Sequence, residues 1–348
     1  MGPSQVVAGL DYGGTKTAVA VSDLAGNLLA SMTIDSRASE GAAAGFAAGL
    51  RGARELAGAA APGAAVAAVG VSTFGIPLDD RVELAPAISG WSDLAIPREL
   101  RAAFPGARVR AVTDAKAAAV AEVRWGSLAG CDPAVYLNLG TGLSAAIVTG
   151  GRVLAGHDGA AGEIGYCLRS PADLGLAPSQ RTLLEQAVSG QAMPRRAGGQ
   201  SAAEVFAGAV TDPGLDSLVG DFIDELAFHL VNLAILVNPE KIAVGGGLAG
   251  SWDRIAPRLR QALAAGPPYP PEVVLARFPL DAPLRGAIAL AIDAALGRAG
   301  SPAAELDGHS PATASRPPPS WPVSGHPPLD GEPGPGRVGT ALKTDAAT

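Results

Sequence analysis

Cysteine is almost missing from this chain of 348 residues: only Cys131 and Cys167 occur. Their spacing supports neither a disulfide framework nor a complete zinc site, and a reducing, cytoplasmic setting fits a chain that depends on neither. An excess of positive charge is missing too. With 26 Lys and Arg against 33 Asp and Glu the net charge is −7, the wrong sign for a protein whose main partner is nucleic acid, because phosphate backbones are bound by basic surfaces. Solubility is the simpler use of that charge. No apolar run reaches the roughly 18 residues that a membrane span needs, and no charged-then-apolar leader opens the chain, so neither a membrane nor secretion is expected. What the chain does have is apolar bulk, at 48% hydrophobic residues, much of it Ala and Val and ample for one large or two modest domains.

The opening stretch organises the rest. Val6, Val7, Ala8, Gly9 and Leu10 form an apolar strand that ends in Asp11-Tyr12-Gly13-Gly14-Thr15-Lys16-Thr17. Gly13 and Gly14 lack a Cβ, so a sharp turn with positive φ is open to them and their N–H groups can approach an anion. Thr15 and Lys16 supply further donors. Asp11 at the strand end is placed to hold Mg²⁺, a hard cation that wants oxygen ligands and few of them. A second strand follows directly, so this is a hairpin turn as well as a phosphate loop. It is not a Walker loop, since the glycine spacing differs and no helix follows.

In order, the pattern predicts strands over residues 6–12, 18–21 and 28–34, a helix over 45–60 and a strand over 65–72. A loop containing Gly75 leads to a short helix at 97–104 and a strand at 108–112. Helical periodicity then runs from 115 to 125, with Thr113 or Asp114 where a side-chain oxygen caps the first turn. The theme restarts with strands at 134–139 and 143–148 around Gly140-Thr141-Gly142, and a third strand at 153–154. A duplicated hairpin with a Gly-Thr turn in each copy points to two lobes of similar design around one cleft, each contributing a phosphate loop. A long helix at 215–237, a strand at 241–244 closed by Gly245 and Gly246, a helix from about 251, a strand at 272–276 and a helix at 284–296 complete the pattern. From 299 to 348 Pro, Gly, Ser and Thr dominate, a composition that predicts a disordered tail.

Three more stretches join the opening loop: Gly140-Thr141-Gly142, Ala161-Gly162-Glu163-Ile164-Gly165, and the run from Asn238-Pro239 through Gly245-Gly246-Gly247-Leu248. In this order, over roughly the first 298 residues, the four resemble the ROK family of sugar kinases and sugar-responsive repressors. The resemblance implies an α/β, actin-like and ribonuclease-H-like fold of the kind shared by hexokinases and Hsp70-type ATPases. Its two lobes would span 1–114 and 115–298, with helix 284–296 packing back on the first. ATP, Mg²⁺ and a hexose would bind in the cleft, and Gly245-Gly246 would lie near the adenosine.

Residue by residue, Thr113-Asp114-Ala115-Lys116 stands where the family has Asn-Asp-Ala-Asn, so Asp114 falls at the position of the catalytic base. A sugar hydroxyl needs such a carboxylate to accept its proton. Thr113 restores part of the hydrogen bonding lost with asparagine, while Lys116 either pairs with a neighbouring acid or reaches a substrate oxygen. Glu163 and Glu185 match the family's two sugar-binding glutamates, which would grip sugar hydroxyls through charge-assisted bonds. Tyr166 stands in place of the family's histidine, and between it and Glu185 only Cys167 remains of the usual cysteine cluster. No structural zinc is therefore expected, His157 is expected to be a surface residue, and residues 168–181 are expected to hold Glu185 by ordinary packing. Gly75 leaves room for a sugar; Ala87 replaces an asparagine.

These features imply an ATP-dependent kinase acting on a hexose, glucose first, at its 6-hydroxyl. N-acetylglucosamine or N-acetylmannosamine as acceptor, and polyphosphate as donor, stay open. So does a non-catalytic sugar sensor, although ten residues before Asp11 leave no room for the helix-turn-helix domain of the repressors. A homodimer is compatible with the sequence.

Overall fold

The computed structural model describes residues 3–36, 38–85 and 88–298. Ala87 and the tail 299–348, on which two of the expectations fall, lie outside the described residues. The first half runs β1 (Gln5–Tyr12), β2 (Lys16–Ser22), β3 (Leu28–Asp35), α1 (Ala42–Ala60), β4 (Ala65–Thr73), β5 (Ile76–Pro77), β6 (Val82–Glu83), α2 (Ile96–Ala103), β7 (Arg108–Thr113) and α3 (Asp114–Trp125). It continues with β8 (Ala134–Leu139), β9 (Leu143–Thr149), β10 (Arg152–Val153), α4 (Leu184–Ala187), α5 (Ala192–Arg196), α6 (Ala202–Gly208), α7 (Pro213–Val237), β11 (Lys241–Gly245), α8 (Trp252–Ala265), β12 (Glu272–Leu275) and α9 (Ala282–Leu296).

The strands form two five-stranded sheets of identical plan, in the orders β3-β2-β1-β4-β7 and β10-β9-β8-β11-β12. In each, three strands form an antiparallel meander and two more run parallel to the first strand, the parallel ones needing helical crossovers to return. The duplication legible in the two hairpins thus extends to whole sheets, and the plan is that of the ribonuclease-H-like fold. β1 is apolar along its length because it is central and covered on both faces. On one face Leu10 and Val19 pack with Phe46 and Ala53 of α1, and on the other Val7 and Ala20 pack with Ile288 and Ile292 of α9. The second sheet buries Val135, Leu137 and Leu139 against Phe222, Leu226 and Leu230 of α7, each such side chain contributing about 1.5–3 kcal/mol.

Three layers approach closely between α3, α9 and β4. A methyl group at Gly70 of β4 would overlap the carbonyl oxygen of Ala287, and one at Gly286 would overlap that of Ala117 in α3. Glu122 of α3, fully buried, accepts backbone hydrogen bonds from Ser127 (2.7 Å), Arg277 (3.1 Å) and Phe278 (2.8 Å), which ties α3 to the segment after β12.

The long helix α7 has readable ends. Asp212 accepts from the N–H groups of Gly214 (2.7 Å) and Leu215 (3.2 Å), Pro213 occupies the first turn, and Asn238 in the left-handed region (φ 49°) stops it before Pro239. Sequence periodicity missed α4, α5 and α6, because four, five and seven residues are too few to show a 3.6-residue period. Among the described residues no helix is long and apolar enough to cross a membrane.

Candidate active site

The parallel pairing of β1 with β4 sets Asp11 opposite Ser72, whose hydroxyl donates to Asp11 Oδ1 at 2.7 Å. Burial pushes the Asp11 carboxyl up to about 6, against the lowering effect of that bond; Asp114 raises it further and Lys16 offsets it. The loop beyond is pinned by Gly13 N–H donating to the Lys16 carbonyl (3.0 Å) and by Ser36, whose N–H donates to the Thr15 carbonyl (3.1 Å) and whose hydroxyl donates to that of Gly14 (3.0 Å). Contrary to expectation, neither Gly13 nor Gly14 has a positive φ. The β1–β2 ladder continues to Tyr12 and Thr17 and closes the turn without it. Glycine serves here through its missing side chain: a methyl at 13 would press on the Lys16 carbonyl at 3.0 Å, and at 14 nothing lies within 4 Å, so the outer face of the loop is bare. Thr15 and Lys16 are exposed on it.

Strand β7 delivers Thr113 and Asp114. Thr113 is the N-cap of α3 but makes no side-chain capping bond, and Asp114 is the first helical residue, so the expected cap does not form. Asp114 Oδ1 instead accepts from Ala115 N–H (2.7 Å), and Oδ2 accepts from Asn138 Nδ2 (2.9 Å) on β8. Burial raises this carboxyl to about 6, opposed first by the Ala115 bond and reinforced by the charge of Glu185. Sequence reasoning missed Asn138, whose contact with Asp114 is distant along the chain and leaves no local signal. Lys116 is buried, 2% exposed; its Nζ lies 4.0 Å from Glu163 Oε1 and donates to Thr113 Oγ1 at 3.4 Å. Burial lowers its pKa, with Glu163 and Asp114 opposing.

Gly162 brings the next loop against β9, with its carbonyl accepting from Ala145 N–H at 2.8 Å and a φ of 87° that favours glycine. Glu163 follows at the head of the short 3-10 turn Ile164–Tyr166. Burial pushes its carboxyl up to about 7, with Lys116 lowering it and Asp114 and Glu185 raising it. Glu185, on α4, turns towards the second glycine loop: Oε2 accepts from Leu143 N–H at 2.9 Å. Burial raises its pKa as well. Asp11, Asp114, Glu163, Glu185 and Lys116 thus form one electrostatically connected group. Tyr166 is half-buried, its hydroxyl pushed up to about 12 by burial and then by Glu185 and Glu163. Gly75, at φ 77°, is required by the β5–β6 hairpin, where a methyl would lie 2.6 Å from Ala85 Cβ.

The expectation that residues 168–181 hold Glu185 by ordinary packing is corrected. Most of their side chains are exposed, and the segment is fastened by polar contacts. Arg169 Nε donates to Glu225 of α7, and the Arg181 guanidinium donates to two backbone carbonyls. His157 is exposed, 3.8 Å from Asp158. Among the described residues no group of three or more His, Cys, Asp or Glu could hold a metal ion.

Beyond the second glycine loop lies a cavity of about 700 Å³ lined by Gly140, Thr141, Gln191, Phe206, Leu248 and Arg254, among others. Gly246 (φ 96°) packs against the Leu139 carbonyl, while Gly245 is buried against Tyr136. The wall of this cavity on that side is formed by Gly247, Leu248 and Gly250 rather than by Gly245 or Gly246.

Residues 7–294 match the model of the ROK family. A glucokinase from Streptomyces coelicolor is 30% identical over 281 residues, 73% of this chain and 86% of the relative. The bifunctional enzyme NanE/NanK of Brucella melitensis is 34% identical over 205 residues, 57% of this chain; the match spans only 38% of that longer protein. Among solved structures, a ROK family glucokinase from Streptomyces griseus in complex with glucose and AMPPNP is similar, with a TM-score of 0.64 and 27% identity over 82% of this chain and 98% of that one. Matched over nearly all of its described length in sequence and in fold, the chain belongs to the ROK family and has the actin-like fold of its sugar kinases.

Proposed function

We propose that this chain is an ATP-dependent hexose kinase, with glucose as first acceptor and the 6-hydroxyl as the site of transfer. The observation that carries the reading is Asp114: a desolvated carboxylate, oriented at both oxygens by Ala115 and Asn138, beside Glu163 and Glu185. In this role Asp114 accepts the proton of the sugar hydroxyl as the bond to phosphorus forms, and its raised pKa makes it a better base than an ordinary carboxylate. Glu163 and Glu185 accept hydrogen bonds from other hydroxyls and orient the ring. Thr113 and Tyr166 border it.

The glycine loops at 13–15 and 140–142 offer backbone and hydroxyl donors to the phosphates. The cavity beside Thr141 and Leu248 has the size and mixed lining that an adenosine needs. Mg²⁺ fits Asp11, a half-buried carboxylate at the strand end below the first glycine loop that the Ser72 hydroxyl orients through Oδ1. One or two carboxylates, with phosphate and water, satisfy that ion, and when bound it neutralises charge on the transferred group. The reading divides the chain into lobes at 1–114 and 115–298, with the cleft between them. Polyphosphate as donor and an N-acetylhexosamine as acceptor are the enzymatic alternatives. Lys116, where the family has asparagine, is what favours a sensor as the second reading. A panel of hexoses and N-acetylhexosamines with ATP and Mg²⁺, scored by kcat/KM, tests the choice: glucose should lead, and an N-acetylhexosamine leading would replace it.

The carboxyls also set a pH dependence. Since kcat/KM reports the free protein, and Asp114 and Glu163 take up protons as the pH falls through about 6 to 7, kcat/KM for the sugar should be flat above pH 8 and fall towards pH 5. A profile flat down to pH 5 would contradict the assignment of both carboxylates.

A further inference from the structure

The chain leaves the site after Cys167 and comes back at Arg181, just before α4 and Glu185. The side chains between are largely exposed, so no core of their own fixes the two ends of the excursion. Arg181 joins them. Its Nη2 donates to the Tyr166 carbonyl at 2.6 Å and its Nη1 to the Cys167 carbonyl at 3.1 Å. Those carbonyls lie at the end of the 3-10 turn that begins at Glu163, where an arginine is well suited to satisfy backbone acceptors. Nε of the same guanidinium is buried with no partner among the described residues, so the side chain is placed by the two carbonyls at the cost of one donor. The outer part of the excursion is anchored separately by Arg169 to Glu225, and is tightened within itself by Asp173, which accepts from the N–H groups of Arg169 (2.7 Å) and Ser170 (3.1 Å).

We propose that Arg181 is a positioning residue for sugar binding: by clamping the end of the Glu163 turn to the segment that enters α4, it sets the separation of Glu163 and Glu185. The inference rests on the sugar-binding reading of those two carboxylates. Glu185 is held from its other side by Leu143 N–H, so the pair is framed by β9 on one side and by Arg181 on the other. The cavity assigned to the nucleotide has no Arg181 in its lining. Loss of the clamp should therefore be felt by the sugar and not by ATP.

The test compares wild type with Arg181→Met, which keeps the apolar stem, and Arg181→Lys, which keeps the charge and one reach to a carbonyl. Hydrogen exchange is followed without ligand in peptides covering residues 160–167 and 182–188, and KM is measured separately for glucose and for ATP. Arg181→Met should exchange faster in both peptides and raise the glucose KM about tenfold, roughly the worth of one charge-assisted bond, with the ATP KM within about twofold; Arg181→Lys should recover part of both effects. Unchanged exchange, or glucose and ATP KM values rising by the same factor, would overturn the inference. Faster exchange with an unchanged glucose KM would overturn its role in sugar binding. Wild-type protein that binds no hexose in calorimetry would instead defeat the sugar reading, and the exchange comparison would still decide whether the clamp exists.

Discussion

Asp114→Asn should lower turnover about 10²- to 10⁴-fold, the usual contribution of general-base catalysis, equivalent to roughly 3–5 kcal/mol of barrier. The amide keeps the size of the side chain and one acceptor oxygen for Ala115 N–H or Asn138 Nδ2, but it cannot take the hydroxyl proton. Glucose and ATP affinities should change far less, because Glu163, Glu185 and both glycine loops are untouched. Stability should move the other way. Burial raises the Asp114 pKa to about 6 from an ordinary 3.8, so its contribution to stability is fully present below pH about 4 and is lost as the pH rises through about 6. At pH 7.5 the ligand-free protein bears the cost of a buried charge that asparagine lacks. The variant should therefore melt higher than wild type at pH 7.5, by on the order of 2 kcal/mol or less, and the gap should narrow as the pH falls below about 6 and close only near pH 4. Thermal melts at the two pH values check this, and undiminished turnover in the variant would remove Asp114 from the mechanism.

The second large effect belongs to the fold. Gly286→Val should leave little soluble protein, or lower the melting temperature by about 10 °C or more, since a side chain at 286 has to displace the backbone of Ala117 in α3. Overpacking of a core against movable side chains costs about 1–3 kcal/mol; here the obstacle is a carbonyl in a buried helix, which cannot turn aside. Gly58→Ala is the matched control. Gly58 sits in α1, where an added methyl group would meet nothing within 4 Å, and alanine in a helix interior should stabilise by about 0.5–1 kcal/mol. Equal melting temperatures for the two variants would show that the α3–α9 approach is not tight.

Strand-rich parts of this architecture were legible in the sequence for a physical reason. β1 and β8 are central strands read as apolar runs that end in glycine turns, and their repetition announces two sheets of one plan. Asp114 stood out as a candidate base only through the resemblance of Thr113-Asp114-Ala115-Lys116 to the ROK pattern; an acid at a strand-to-helix junction by itself says no more than a helix cap. Asn138 was not, since nothing local says that an amide on β8 reaches a carboxylate on α3; that contact exists only after the two sheets come together. The backbone of Gly13 and Gly14 departs from expectation because glycine permits positive φ without requiring it, and the β1–β2 ladder continues to the loop's edge. Arg181 escaped for the same reason as Asn138: a clamp on backbone carbonyls leaves no pattern along the chain, and exposed residues between its ends look like an ordinary loop.

A hexose bound at this site should become phosphorylated, and calorimetry with glucose together with phosphorus NMR of the same wild-type sample, supplied with ATP and Mg²⁺, measures both halves of that statement. The account predicts saturable glucose binding and replacement of the ATP γ-phosphate signal by that of a sugar 6-phosphate, one for each ADP formed. Glucose binding with the ATP signals unchanged would contradict it, and the same result across the sugar panel and with polyphosphate as donor would favour a sensor.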